Sequence, residues 1–164
     1  MNRVYGSILA ALAALGCLSL PPLTSMLSGA SAHGAHEHFA AGEPGDPQKP
    51  FRVVKVTMLE DGKKMLFEPA VVEVRLGEQV RFEIFNEGSW NHEFVLATEA
   101  ANRKHADLMK KFPDMEHADP NAVRLAPFAT GAILWKFTKR GAFEYACLIP
   151  GHLEAGMRGA VIVK

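Results

Sequence analysis

From Phe51 onward, apolar and polar side chains alternate in short runs, which is the pattern of strands that bury one face. The inward-facing sets are Val72, Val74 and Leu76; Val80, Phe82 and Ile84; Ile133, Trp135 and Phe137; and Phe143, Tyr145 and Cys147. Turn residues separate the runs, and residues 160–163 add a last apolar stretch. The pattern predicts an all-β domain over residues 51–164, an antiparallel β-sandwich or barrel without internal repeats.

One segment departs from this alternation. Residues 99–111 are rich in Ala, Lys, Leu and Met and lie between two strand-like stretches. Their composition predicts a short helix inserted in a long connection. Pro113 restricts the residue before it, so we expect the helix to end near Phe112.

The N-terminal segment has the pattern of a targeting sequence. Arg3 precedes an uncharged run over residues 4–20, and a small-x-small site ends at Ala32. These features predict a signal peptide over residues 1–32 that is cleaved after Ala32. A membrane anchor is the first alternative, but the run is shorter than the ~20 apolar residues that span a bilayer. A lipid anchor on Cys17 is the second, although Ala14 stands where a lipobox usually has Leu.

Residues 33–50 combine Gly, Pro and charged side chains without apolar periodicity, which predicts a flexible tail. His33, His36 and His38 lie in this tail among Gly and Ala. Such a cluster binds divalent ions weakly and without selectivity, or it is a solvated linker that happens to carry histidines.

Composition limits the classes of function. The chain has 164 residues, 48% of them apolar, and 18 basic against 18 acidic side chains, which supports one globular core. Charge balance argues against a basic nucleic-acid binder, and two cysteines cannot form a disulfide-dense scaffold. Loss of residues 1–32 would leave Cys147 as the one thiol of an exported protein. An unpaired thiol in an oxidising compartment suggests that something occupies it.

The segment that contains Cys147 carries the most informative chemistry. Cys147, His152 and Met157 lie within eleven residues, where Pro150-Gly151 forms a turn. Thiolate, imidazole and thioether together suit copper, which changes between Cu(I) and Cu(II). A trigonal site needs a second imidazole from another strand, and His92 at the start of an apolar run is the candidate. Because alternate residues of a strand share one face, we expect both His92 and Cys147 at the rim of the apolar interior.

Other interpretations of these residues fit less well. Cys147 alone would usually be an inert buried thiol, and His92 or Met157 alone would usually be a packing or surface residue. A structural zinc site would need more than one cysteine and has little use for Met157. A cysteine hydrolase would need a general base and an orienting partner, for which the β architecture gives no indication.

Residues 143–159, Phe-Glu-Tyr-Ala-Cys-Leu-Ile-Pro-Gly-His-Leu-Glu-Ala-Gly-Met-Arg-Gly, resemble the copper loop of the cupredoxins, the blue-copper family of plastocyanin, azurin and rusticyanin. The resemblance covers residues 51–164 and implies a Greek-key β-sandwich with a mononuclear type 1 copper site. It implies His92, Cys147 and His152 as equatorial ligands and Met157 as the axial ligand. Within the family the chain is most similar to the periplasmic copper-tolerance cupredoxins of the CopI type.

One position departs from the family pattern. Many cupredoxins have Asn or Ser directly after the first histidine, where it hydrogen-bonds the cysteine sulfur, but this chain has Glu93. Hydrogen bonds to a ligand tune the potential and colour of a metal site, so we expect a distorted, greener site as an alternative to a blue one.

A second group of candidate copper ligands lies in and after the predicted helix: His105, Met109, Met115 and His117. His105 and Met109 are four residues apart and would share one helix face. Their side chains suit Cu(I), or else Met109 packs the helix on the sandwich while the histidines are solvated.

Three functions are compatible with these residues. The first is a periplasmic protein of copper tolerance that sequesters or oxidises Cu(I). The second is a one-electron carrier whose partner docks at the exposed edge of His152, next to Ile149, Pro150, Leu153 and Ala155. The third is a cuprous oxidase, which is disfavoured because the chain lacks the His-x-His pairs of a trinuclear oxygen-reducing cluster.

Overall fold

The computed structural model describes residues 39–112 and 119–164. In these residues the strands are β1 (Glu43–Pro44), β2 (Arg52–Asp61), β3 (Lys64–Glu68), β4 (Val71–Val74), β5 (Gln79–Asn86), β6 (His92–Ala97), β7 (Ala122–Leu125), β8 (Thr130–Lys136), β9 (Gly141–Ala146) and β10 (Arg158–Val163). Helix α1 (Glu99–Lys111) lies between β6 and β7. The predicted signal peptide with Cys17, the histidines His33, His36 and His38, and the pair Met115 and His117 lie outside the described residues.

The strands form two five-stranded sheets, which confirms the predicted all-β sandwich with a short helical insertion. One sheet has the order β1-β8-β5-β2-β3, and the other has the order β4-β10-β9-β6-β7. Most pairs are antiparallel, as the sequence predicts, but two pairs, β2 with β5 and β4 with β10, are parallel. After β2 the chain forms β3 beside it, crosses to the opposite sheet as β4 and returns as β5. Such a crossover permits parallel pairing of β2 with β5 where a tight hairpin would not.

The core lies between the two sheets and is made by the predicted inward-facing residues. Val80, Phe82 and Ile84 of β5 are at most 1% exposed, and Trp135 and Phe137 are fully buried. The ring of Phe94 stacks on that of Tyr145 at 5.1 Å. Leu76 is an exception, since it is 44% exposed. Strand β4 ends at Val74, so Leu76 lies in the turn that follows and no longer alternates with the core.

Helix α1 has the bounds that its composition predicts. It begins after Thr98, whose hydroxyl accepts a hydrogen bond from the Ala101 N–H, and it ends before Phe112. Its buried face packs against the sheet through Ala106 and Met109, in one apolar cluster with Val95, Ala146 and Leu148. No helix among the described residues is both long and apolar enough to cross a membrane.

The predicted flexible tail over residues 33–50 extends too far toward the C-terminus. Residues 43 and 44 form β1 against β8, and Ala41 is fully buried. The ring of Phe39 also packs edge-on against Trp135 at 5.2 Å. An edge strand of two residues is too short to leave an alternating pattern by which the sequence could indicate it. Packed structure therefore begins by residue 39 and not at Phe51.

Candidate metal centre

Adjacent strands bring three candidate ligands to one end of the sandwich. His92 is the first residue of β6, and Cys147 directly follows β9. These strands pair antiparallel, with Val95 opposite Ala146, so the start of one lies beside the end of the other. His152 lies in the turn between β9 and β10 and folds back over the same end.

The three side chains converge on one point. Their candidate ligand atoms all lie within 4.8 Å of one another. Nδ1 of His92 is 3.1 Å from Nδ1 of His152, which in turn is 3.3 Å from Sγ of Cys147. His92 and Cys147 are fully buried, and His152 is 6% exposed. The predicted juxtaposition of His92, Cys147 and His152 is thus present in the fold.

Backbone hydrogen bonds close the loop that carries Cys147 and His152. The Cys147 N–H donates to the Met157 carbonyl at 3.1 Å, and the Met157 N–H donates to the His152 carbonyl at 3.0 Å. The His152 N–H in turn donates to the Ile149 carbonyl at 3.0 Å. Met157 is fully buried beside these residues. The loop is therefore tied to itself at each candidate ligand, which fixes their relative positions.

Burial controls the protonation of the site. Desolvation raises the pKa of the Cys147 thiol to about 12, although backbone N–H groups of Glu93 and Ile149 hydrogen-bond the sulfur and oppose that rise. Desolvation is the main cause that lowers the pKa of His152, and the nearby His92 lowers it further. At neutral pH the metal-free site therefore holds a protonated thiol and a neutral His152, so neither carries a charge into the apolar interior.

The hydrogen bond to the sulfur does not depend on the side chain of residue 93. The backbone N–H of Glu93 donates to Sγ of Cys147 at 3.3 Å. The carboxylate of Glu93 instead faces Arg124 on the neighbouring strand β7, with 3.6 Å between the charged atoms. A backbone N–H of residue 93 therefore donates to the sulfur although the side chain at this position is Glu and not Asn or Ser. The colour of the site stays a prediction.

Two polar residues that the sequence does not single out hold the His92 side of the site. Glu60 on β2 contacts Nε2 of His92 at 3.0 Å. Asn86, fully buried at the end of β5, donates from its amide to the carbonyl oxygens of Trp90, Leu125 and Ala126. It also accepts from the Gly88 N–H at 3.0 Å. Together they join the segment before His92 to both sheets.

The donor set fits copper. A thiol and two imidazole nitrogens converge in a buried pocket, and in the described part of the chain Cys147 is a free cysteine. Soft sulfur suits Cu(I), and imidazole suits both oxidation states. Structural zinc sites usually contain more than one cysteine, so two imidazoles with a single sulfur fit structural zinc poorly. His92, Cys147 and His152 could therefore bind copper.

The second predicted group of ligands is only partly within the described residues. Met109 on the buried face of α1 is 1% exposed and packs against the sheet, which agrees with the packing alternative for that residue. His105 is half-buried and lines a cavity of about 430 Å³ between α1 and the sheet, together with Asn102 and Asn121. A copper site here stays a prediction.

Comparison with known proteins supports the fold and the binding of copper. Residues 54–164 match the model of the copper binding proteins of the plastocyanin/azurin family. A copper-resistant cuproprotein CopI from Rubrivivax gelatinosus is 54% identical over 123 residues, 75% of this chain and 73% of that protein. A protein of the same name from Pseudomonas aeruginosa is 32% identical over 154 residues, 76% of this chain and 83% of that protein.

A solved structure supports the same fold. Dithionite-reduced auracyanin from Roseiflexus castenholzii superimposes with a TM-score of 0.57 at 21% identity, over 67% of this chain and 96% of that one. At this identity the likeness concerns the fold alone, whereas the family match includes the region of the candidate ligands. The chain belongs to the plastocyanin/azurin family of copper-binding proteins.

Proposed function

We propose that this chain is a periplasmic copper protein that contributes to copper tolerance by sequestering copper at a redox-active mononuclear site. The convergence of His92, Cys147 and His152 in a buried pocket carries the proposal. The relatives named copper-resistant cuproproteins support the role in tolerance. The signal peptide predicted over residues 1–32 would direct the export that the periplasmic location requires.

The ligand set of this proposal is His92, Cys147 and His152, with Met157 as a fourth, axial ligand. Met157 is fully buried, and its backbone is hydrogen-bonded to both Cys147 and His152. Copper bound there would supply one-electron chemistry through its Cu(I) and Cu(II) states. The protein residues keep the pocket dry and hold the donor atoms in place by the hydrogen bonds of the loop. A rigid donor set of mixed softness accommodates both states without large rearrangement.

A one-electron carrier is the second candidate function. His152 keeps 6% exposure while the other three proposed ligands are fully buried, so its ring edge is the part of the site nearest to solvent. Half-buried apolar side chains, Ile149 and Leu153, lie beside it in the same loop. A redox partner that docks here would exchange electrons through His152.

Growth of a deletion strain on copper separates the two functions. The strain is complemented with the wild-type chain, with Cys147→Ser, or with Leu148→Met, a control that changes the neighbouring buried residue at similar volume. We expect the wild type and the control to restore growth on high copper, and Cys147→Ser to fail although it accumulates to the same level. Full tolerance with Cys147→Ser would refute the proposal. Slower respiration at ordinary copper, with unchanged tolerance, would favour the electron carrier.

A further inference from the structure

A carboxylate lies behind the first proposed ligand, on the side of the ring away from the pocket. Glu60 belongs to β2, in the sheet opposite to that of His92. Its Oε1 is 3.0 Å from Nε2 of His92, while Nδ1 of the same ring faces His152 at 3.1 Å. The His92 side chain is fully buried and that of Glu60 is 20% exposed, so the contact is shielded from water on the histidine side.

Other hydrogen bonds fix the position of this carboxylate. Ser89 donates to Glu60 from its backbone N–H at 3.0 Å and from its hydroxyl at 2.8 Å. The Trp90 N–H donates to Oε1 at 3.1 Å. Glu60 is therefore held by the segment that leads into His92, and not only by the imidazole.

The contact dictates the tautomer of His92. An ionised carboxylate only accepts hydrogen bonds, so a neutral imidazole must present an N–H to it. Nε2 therefore carries the proton of the His92 ring, and Nδ1 presents its lone pair to the pocket that contains Cys147. Binding of a metal in the pocket requires that Nδ1 face the pocket without a proton, which is the state of Nδ1 in this tautomer.

Gly88 leaves the space in which the contact forms. A Cβ at this position would be 2.4 Å from Oε1 of Glu60 and 3.0 Å from Nε2 of His92. Both distances are below van der Waals contact, and two groups would have to move. The absence of a side chain at residue 88 is thus an independent requirement of the same arrangement.

We propose that Glu60 is a positioning residue of the copper centre, which holds the orientation and the Nε2–H tautomer of His92 and adds a negative charge that favours Cu(II) over Cu(I). The inference rests on the proposed function, because it takes His92 as a ligand. Partners that orient a ligating histidine typically contribute 10–100-fold in metal affinity. We expect a loss of about that size when Glu60 is replaced by Ala.

The test compares full-length variants without and with copper. Long-range proton–nitrogen NMR spectra of the metal-free protein report the tautomer of His92 directly. We expect the Nε2–H form in the wild type and in Glu60→Gln, whose side-chain oxygen still accepts the hydrogen bond. In Glu60→Ala and in Gly88→Ala we expect a mixture of tautomers. Glu87→Ala, which removes an exposed carboxylate in the segment after β5, is the matched control and should behave as the wild type.

Copper affinity and reduction potential give two further readouts. Glu60→Ala should bind copper about 10–100-fold more weakly than Glu87→Ala, and Glu60→Gln should keep most of the affinity while its potential rises. A single Nε2–H tautomer in Glu60→Ala, with wild-type affinity and potential, would overturn the inference. An unchanged potential in Glu60→Gln would overturn the role of the charge. Failure of the wild type to bind copper at all would refute the proposed function instead, since the tautomers are measured without metal.

Discussion

Copper uptake at neutral pH should expel the proton of Cys147. The sulfur is fully buried, and desolvation raises the pKa of its thiol from 9.0 to about 12. At pH 8 the metal-free protein therefore holds about one thiolate per 10⁴ thiols. Because the thiolate is the species that binds a metal, binding and deprotonation occur together.

The raised pKa of the Cys147 thiol also sets how steeply the copper affinity depends on pH. Burial lowers the pKa of His152, so this residue is already neutral at pH 8 and has no proton to release. Cys147 then contributes one proton per copper bound, and the apparent affinity should rise tenfold for each pH unit between pH 8 and pH 10, about 1.4 kcal/mol per unit. The rise of the thiol pKa costs about 4 kcal/mol, which the metal–sulfur bond must offset.

Calorimetric titration measures this proton directly. The full chain, in a Cys17→Ser background that leaves Cys147 as its one thiol, is titrated with copper at pH 8 in buffers of different ionisation enthalpy. The slope of the binding heat against that enthalpy gives the protons released per metal. We expect a value close to one, and a loss of that proton in Cys147→Ser. Copper binding to the wild type without proton release would show that the thiol is already ionised, and the burial argument would be refuted.

Three further changes test the packing and charge of the site. Gly159→Ala would bring a Cβ to 2.3 Å from the buried ring of Tyr145, so urea unfolding should show a loss of about 1–3 kcal/mol; unchanged stability would mean that the ring can move. Asn86→Ala leaves the Trp90, Leu125 and Ala126 carbonyl oxygens without their donor, and we expect a similar loss of about 1–3 kcal/mol. A loss below ~0.5 kcal/mol, the range of ordinary surface substitutions, would contradict that role for Asn86. Because folding raises the pKa of Cys147 from 9.0 to about 12, its contribution to stability is complete below pH 9 and decreases as the pH rises toward 12. The metal-free wild type should therefore lose up to about 1.4 kcal/mol per pH unit above pH 9 relative to Cys147→Ser, and parallel curves for the two proteins would contradict this.

Much of the fold could be predicted because burial on one face leaves a period of two in the sequence. The alternating residues of β5 and β8 are the buried ones, and helix α1 has its predicted bounds. In β9 the predicted residues Phe143 and Tyr145 are buried, and Glu144 and Ala146 between and after them are buried as well. Cys147 and His152 lie in one local turn, and His92 is the first residue of a strand whose alternating residues, Phe94 and Leu96, face the core. These features need no knowledge of which strands are neighbours.

The remaining features depend on contacts between distant parts of the chain. Glu60 lies at the end of a strand among other polar residues, and only the approach of the two sheets brings it to His92. Asn86 is equally ordinary in sequence, and its role comes from three carbonyl oxygens that the fold directs at it. The sequence of residues 39–50 predicts a tail because an edge strand as short as β1 has no periodicity of its own.

The visible absorption spectrum of the full chain loaded with one Cu(II) tests the ligation by Cys147 most directly. Ligation by that thiolate predicts intense sulfur-to-copper charge-transfer bands, whose intensity ratio reports the distortion of the site. The bands should vanish in Cys147→Ser, change in ratio in Met157→Leu, and remain unchanged in Met109→Leu, which alters another buried methionine. Copper bound in equal amount without such bands would contradict the ligation of copper by Cys147 between His92 and His152.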